Sequence, residues 1–403
     1  MKISSAWSTE LKPEAAASAA YKMLLENLPG PPQLMLLHSS CAYDNRAVVT
    51  QLRTLAPDTL LQGGTSCLGV LTETGFHTEN EKGLGLLGIY DPEGSYGVGI
   101  SDTGDDPAGA AIFALDRALE QSGRSGEVPL VILITNHPGH EDLVIQAIEE
   151  HIGVNVPIIG GTSADNDMSG QWQQFGNETV ASQAVSVAVL FPSGDIDIGY
   201  AFHSGYEPTE HRGIVTRAED RVIYEIDHRP ATEVYNEWTN GLITDILPQG
   251  GSMVPAASLT PVGNPVGEIG GVPYYRLSYP VEARPDQSIL LFTDVREGNE
   301  IVLMKGTHDS IATRAGRVAT AALDNAPFGV EDARGALVLF CTGCMLVVKD
   351  RMHETAASLK TALPDVPFLC SFTLGEQGCF IQGENRHGNL MVVVLVFGPT
   401  KLE

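Results

Sequence analysis

The chain has 403 residues and a formal net charge of −26, with 24 Lys and Arg against 50 Asp and Glu. Its length exceeds one ordinary core, so two or more domains are expected, and 43% hydrophobic with 18% charged residues is a globular composition, not a disordered one. The acidity repels phosphate backbones and argues against nucleic acid as a partner; no apolar run is long enough to span a bilayer, which argues against a membrane protein.

Taken in order, Lys2 to Ser8 reads as a strand. Glu14 to Leu28, opened by Pro13 and Ala-rich with apolar residues at helical spacing, reads as a helix. Leu34-Met35-Leu36-Leu37-His38 is a continuous apolar run, the mark of a strand covered on both faces. A second helix is predicted over Arg46 to Leu55, then strands over Leu60 to Gly64 and Gly83 to Tyr90. The order restarts with a strand at Tyr96 to Ser101, a helix at Ala108 to Gln121 and a strand at Pro129 to Thr135. A helix at Leu143 to His151 and strands at Pro157 to Gly161 and Ala184 to Phe191 complete that round. A third round is predicted from Ile301 to Lys305, through helices at Ser310 to Leu323 and His353 to Leu363. Its strands are Ala336 to Cys341, Val366 to Phe372 and Leu390 to Phe397.

One device recurs in all three rounds, degraded in the third. It is Gln62-Gly63-Gly64-Thr65-Ser66, then Ile159-Gly160-Gly161-Thr162-Ser163, then Cys370-Ser371-Phe372-Thr373-Leu374-Gly375-Glu376. The expected fold is therefore α/β: three β-α-β-α-β-β modules of roughly 95 residues, forming mixed sheets covered by helices. A β-rich insertion, about Ser193 to Glu297, is expected between modules two and three. The domains expected are residues 1–228, holding two modules, and 229–403, holding the β-rich segment and the third.

Open α/β sheets bind ligands at the carboxyl ends of their strands. A Gly pair there can leave amide donors uncovered, and Thr and Ser add hydroxyls. The candidate ligand-binding residues are thus Thr65, Ser66, Thr162, Ser163, Cys341, Thr373 and Glu376. On repeat alignment His38, Thr135 and Cys341 take equivalent places on the neighbouring strand. Cys341-Thr342-Gly343-Cys344 is a CxxC; the reading favours Cys341 and Cys370 as small apolar residues ending buried strands over a metal or redox site. His137-Pro138-Gly139-His140-Glu141-Asp142 has metal-ligand residue types, but a run of this kind more often caps the helix after it. No metal site is expected, and no motif of a known catalytic class stands in its proper context. Met1 to Glu10 lacks an apolar signal core, and the six cysteines make no disulfide framework, so a reduced, cytoplasmic protein is expected.

Leu36 to Asp44, the Gly63 to Ser66 and Gly160 to Ser163 turns, and Phe202-His203-Ser204-Gly205-Tyr206-Glu207-Pro208 with Val215-Thr216 resemble the N-terminal domain of the FIST family (F-box and intracellular signal transduction proteins). Tyr224 to Ala231, Tyr274-Tyr275-Arg276-Leu277, Phe340 to Cys344, Phe372 to Glu376 and Asn389 resemble its C-terminal domain. The resemblance covers nearly the whole chain. It implies a non-catalytic sensory protein that binds a small ligand such as an amino acid. Some members are haem proteins that sense nitric oxide and regulate histidine kinases or cyclic-dinucleotide enzymes. Haem is the alternative cofactor here, with His203 the candidate axial ligand; otherwise no cofactor is expected. Many members carry an Arg where this chain has Cys344, so a fixed cation is missing at that place. No kinase, receiver, cyclase or F-box segment is visible, so the expected partner is a separate signalling protein, a histidine kinase or a cyclase. Pairing across an exposed sheet edge would give a homodimer.

Overall fold

Leu34 and Leu36 of one strand belong to one apolar core, while Met35 and Leu37 of the same strand belong to another. Side chains alternate across a sheet, so a run apolar at every position must be covered on both sides. This is the plan of the computed structural model, which describes residues 1–269, 272–380 and 383–400. The first module contributes β1 (Lys2–Ser8), α1 (Pro13–Glu26), β2 (Leu34–Ser39), α2 (Asn45–Leu55), β3 (Leu60–Thr65), a short hairpin β4 (Val70–Thr72) and β5 (Gly75–His77), and β6 (Leu84–Tyr90). The second contributes β7 (Ser95–Asp102), α3 (Pro107–Ser122), β8 (Val131–Asn136), α4 (Glu141–Ile152), β9 (Ile158–Thr162), the hairpin β10 (Gln174–Gly176) and β11 (Thr179–Ala181), and β12 (Ala184–Phe191).

Local chemistry sets the helix ends. Asp44 and Asp106 accept from the backbone N–H of Ala47 and Gly109 at 3.2 and 2.9 Å, capping α2 and α3. Gly123 and Gly153, both near φ 70°, close α3 and α4 in the left-handed conformation that costs glycine least.

The third sheet opens with β13 (Ile196–Ser204), which runs antiparallel to the last strand of the chain. This corrects the expected order. Ile301 to Lys305 does form a strand, but it pairs inside the insertion. The insertion thus lies within the third module, after its first strand, and not between modules two and three. It comprises β14 (Glu207–Glu219), β15 (Val222–Ile226), β16 (Arg229–Pro230), α5 (Ala231–Trp238), β17 (Gly251–Ser252), α6 (Val254–Ala257), β18 (Val262–Ile269), β19 (Val272–Ser278), β20 (Pro280–Ala283), β21 (Ile289–Leu291) and β22 (Glu300–Lys305). The pattern Ile196-Asp197-Ile198-Gly199-Tyr200 alternates like the insertion's strands, which hid its membership of the main fold. The module resumes with α7 (His308–Asp324), opened by a Thr307–Ser310 capping box, then β23 (Gly335–Cys341), α8 (Thr342–Val347), α9 (Met352–Ala362), β24 (Phe368–Thr373), the hairpin β25 (Glu376–Cys379) and β26 (Asn385–Gly388), and β27 (Met391–Pro399).

Three sheets share one strand plan: β1-β6-β2-β3-β10-β11, β7-β12-β8-β9-β25-β26 and β13-β27-β23-β24-β4-β5. In each, the two central strands after the crossover helix run parallel and the rest antiparallel. Each hairpin leaves its own module and completes the sheet of another. The inner faces of the three sheets meet in one common core, which also takes in the insertion, while α1 with α2 and α3 with α4 cover separate outer cores.

Candidate functional site

The three repeated corners do converge, and they bond to one another. Ala164 N–H donates to the Thr65 carbonyl at 2.9 Å, Leu374 N–H to the Thr162 carbonyl at 3.0 Å, and Cys67 N–H to the Phe372 carbonyl at 3.2 Å. This closes a ring of backbone hydrogen bonds from first corner to second, second to third, and third to first. The Gly pairs serve this approach. A methyl group on Gly64 would lie 2.5 Å from Ser163 Oγ, and one on Gly161 2.5 Å from Thr373 Cγ2. The amides expected to face a ligand are mostly spent: Thr65 N–H goes to Gln173, Ser66 to Ser39, Thr162 to Gly375 and Ser163 to Asn136.

The candidate hydroxyls are buried and mostly engaged. Thr65 Oγ1 accepts from Gln173 N–H at 2.9 Å, and Ser66 Oγ donates to the Gly69 carbonyl and accepts from Phe372 N–H. Thr373 Oγ1 donates to Glu376 at 2.8 Å, and the other Glu376 oxygen accepts from Met391 N–H at 3.0 Å. Burial, the largest influence, and the neighbouring Cys341 push the Glu376 carboxyl well above the ordinary carboxylate range. Ser163 Oγ is buried with no partner. Cys341 stands opposite Thr373, as Ser39 stands opposite Thr65 and Asn136 opposite Thr162. Its counterparts are therefore Ser39 and Asn136. The equivalence with His38 and Thr135 was one residue out of register, which in a strand means the opposite face.

From the second corner a buried polar chain leads outward. Thr162 Oγ1 donates to Glu141 Oε1 at 3.2 Å and accepts from Gln377 Nε2 at 3.3 Å, and Gln377 also donates to Asn136 Oδ1 at 2.6 Å. Glu141 Oε2 pairs with Arg221 at 2.9 Å, and Arg221 pairs in turn with Asp294 at 2.9 Å. Burial works to raise Glu141, but His387 and Arg221 outweigh it and hold the carboxyl below its ordinary range. Beside it Asp142 faces Arg276 at 3.5 Å and His387 at 3.8 Å. Burial opposes its ionisation too, yet His387 and Arg276 hold it low; at 3.8 Å the influence of His387 is coulombic. The Asp142 Oδ2, the Arg276 Nε and both ring nitrogens of His387 are buried without hydrogen-bond partners.

Asp142 and Arg276 line a cleft of about 520 Å³ between α4 and the β18–β19 hairpin, together with Glu149, Asp294, Asn385 and Arg386. This lies within the usual size of small-molecule sites. The run His137 to Asp142 thus does two things. Glu141 and Asp142 occupy the first turn of α4, and both reach the chain and cleft just described. Among the described residues no group of three or more His, Cys, Asp and Glu is arranged to hold a metal ion. His203 is exposed on β13, its Nδ1 at the Ser204 carbonyl and its ring edge-on to Tyr274 at 5.4 Å. A haem axial ligand sits in an apolar pocket, and this exposed side chain does not. Arg221, Arg276, Gln377 and His387 were not singled out as site residues. Arg276 and Arg221 come from the insertion and meet α4 across 134 and 80 positions of sequence, a pairing that no local pattern announces.

Comparison with known proteins bears on this arrangement. An uncharacterized protein of Methanocaldococcus jannaschii is 34% identical over 84 residues, a match taking in 21% of this chain and 16% of that protein. Among solved structures, cyanuric acid hydrolase from A. caulinodans overlays 100% of this chain and 99% of its own at 8% identity, with a TM-score of 0.39. PurLQS from Thermotoga maritima overlays 99% of this chain and 72% of its own at 11% identity and a TM-score of 0.24. Overlays this loose assign neither fold nor activity. No helix of the described residues is long and apolar enough to cross a membrane. The FIST N domain matches residues 33–229 and the FIST C domain residues 231–379; the chain belongs to the FIST family, whose domains are sensory domains of signal transduction.

Proposed function

We propose that this chain is a non-catalytic sensor for a small zwitterion of the amino-acid type, bound in the cleft between α4 and the β18–β19 hairpin. One observation carries the reading: Asp142 and Arg276 line the same cleft, and each keeps one buried polar atom with no hydrogen-bond partner. Buried polar groups are normally satisfied, so an unspent acceptor on a carboxylate beside an unspent guanidinium N–H suits a ligand that brings both an ammonium and a carboxylate. Glu141 and Arg221 link that cleft to the Thr162 corner, giving occupancy a route to the centre of the fold. The signal then passes to a separate protein, a histidine kinase or a cyclic-dinucleotide enzyme.

Free amino acids titrated into the full chain test the reading. At a hundredfold excess over Kd a ligand raises stability by about 2.7 kcal/mol, read as a higher melting temperature. Arg276→Ala and Asp142→Asn should each abolish that rise, measured against the unliganded melt of the same variant. A silent response to all twenty amino acids, by melting and by calorimetry, would overturn it.

A further inference from the structure

Among the described residues Arg314 is the largest fully buried side chain, at 0% exposure. Its guanidinium donates to the Leu390 carbonyl at 2.7 Å and the Met391 carbonyl at 3.3 Å, and stacks 4.4 Å over Phe340. Its Nε has no partner, and among the described residues it forms no ion pair. A desolvated cation of this kind is costly unless an anion answers it. The carboxyl in reach, Glu376, is pushed toward its neutral form by burial. What remains beside Arg314 is the pair Cys341 and Cys344. Cys341 ends β23 and caps α8, and Cys344 stands one turn later within α8, both side chains buried. Tyr206 Oη lies 3.3 Å from Cys344 Sγ and donates to the Ser258 carbonyl at 2.6 Å. Tyr279, Cys370 and Arg317 are further titratable groups nearby.

We propose that Cys341 and Cys344 form a reversible redox site, a dithiol that small hydroperoxides convert to a disulfide, with Cys344 the attacking thiolate and Cys341 the resolving thiol. Burial opposes ionisation at Cys344, but the Cys341 thiol and the Arg314 charge, the largest opposing influences, bring it down to about 7, while Cys341 is pushed well up. The chemistry balances. The Cys344 thiolate attacks the peroxide oxygen, giving a sulfenic acid and releasing hydroxide from hydrogen peroxide. Cys341 then attacks that sulfur, losing its proton, and water leaves as the S–S bond forms. The dithiol is oxidised by two electrons and hydrogen peroxide is reduced to two waters, or an alkyl hydroperoxide to its alcohol and one water. A single six-residue helix carries the pair on its buried side, with Leu346 exposed and Gly343 half-exposed, so a local opening of that turn admits the oxidant. The other four cysteines are unpaired thiols and serve as controls in the same molecule.

The test is hydrogen peroxide treatment of the folded full chain, followed by peptide mapping. The intact protein should lose two hydrogens on the peptide carrying both residues. Cys341→Ser should trap a sulfenic acid at Cys344, caught by a dione reagent, and Cys344→Ser should leave Cys341 a thiol. The oxidation rate should rise with pH about a midpoint near 7, and Arg314→Gln should slow it about tenfold at pH 7 by returning the thiol to its ordinary range. Should that variant not fold, the pH midpoint of the parent still decides. Both thiols surviving while half-exposed Cys41 oxidises, or a disulfide forming only in urea, would overturn the proposal.

Discussion

A methyl group on Gly64 would meet Ser163 Oγ at 2.5 Å, Thr135 Cγ2 at 2.6 Å and the Gln173 carbonyl at 2.9 Å. Ser163 can turn aside; the Gln173 carbonyl belongs to backbone that also holds Thr65, and cannot. Gly64→Ala should therefore cost about 2–4 kcal/mol, read from the urea midpoint, because the overpacked group lies where three modules touch. Gly194, with nothing within 4 Å, is the control, and its change to Ala should stay within about 0.5 kcal/mol. Equal effects at the two sites would mean the corners are loose. The repeat made these glycines conspicuous in the sequence, but it did not tell what their freedom is for. A strand ending in Gly-Gly-Thr-Ser has donors and acceptors to offer. Whether another strand end or a ligand takes them depends on residues about a hundred positions away.

At the scale of elements, the helices and the doubly covered strands were legible because their patterns are local and long. The exchanged hairpins were not: β4 and β5 have three residues each, and their partner strand β24 lies almost three hundred positions on. That hairpin is fastened by His77, whose ring stacks on Trp7 at 3.7 Å and whose Nε2 lies 2.8 Å from Thr72 Oγ1. Burial pulls the His77 imidazole down to about 4, and His38 on β2 likewise. A folded-state value below the unfolded one means that the fold binds fewer protons. The stability so gained is complete above about pH 6.5 and is lost as pH falls toward 4, by about 3 kcal/mol for each ring. Glu376, raised in the fold, runs the other way, gaining stability over part of the same range. The slope must therefore be compared between proteins. Urea midpoints of the parent should fall more steeply from pH 6.5 to 4 than those of His77→Gln. Parallel lines would show that His77 is not held neutral against the hairpin.

At the scale of the molecule, the exchange of hairpins decides what can fold alone. Sheet three needs β13, β4 and β5, all before residue 229, although its central strands β23, β24 and β27 lie after it. Sheet two takes β25 and β26 from the far end of the chain in return. The family boundary near residue 230 therefore divides the sequence but cuts through three sheets, the insertion's included, and through the core in which the repeated sheets meet. A chain of residues 1–229 would expose the edge of β9 that β25 pairs with, along with β13 and the β4–β5 hairpin, all without their partner strands. A chain of residues 230–403 would leave both edges of β27, β23 and β24 unpaired, which invites aggregation. Expressed separately, neither piece should show a cooperative unfolding transition. Expressed together, they should associate one to one and unfold with a urea dependence close to that of the intact chain, since the slope follows the surface exposed. A cooperative transition from residues 1–229 alone would show that the borrowed strands are dispensable, and that the three modules are neighbours and not one interlocked body.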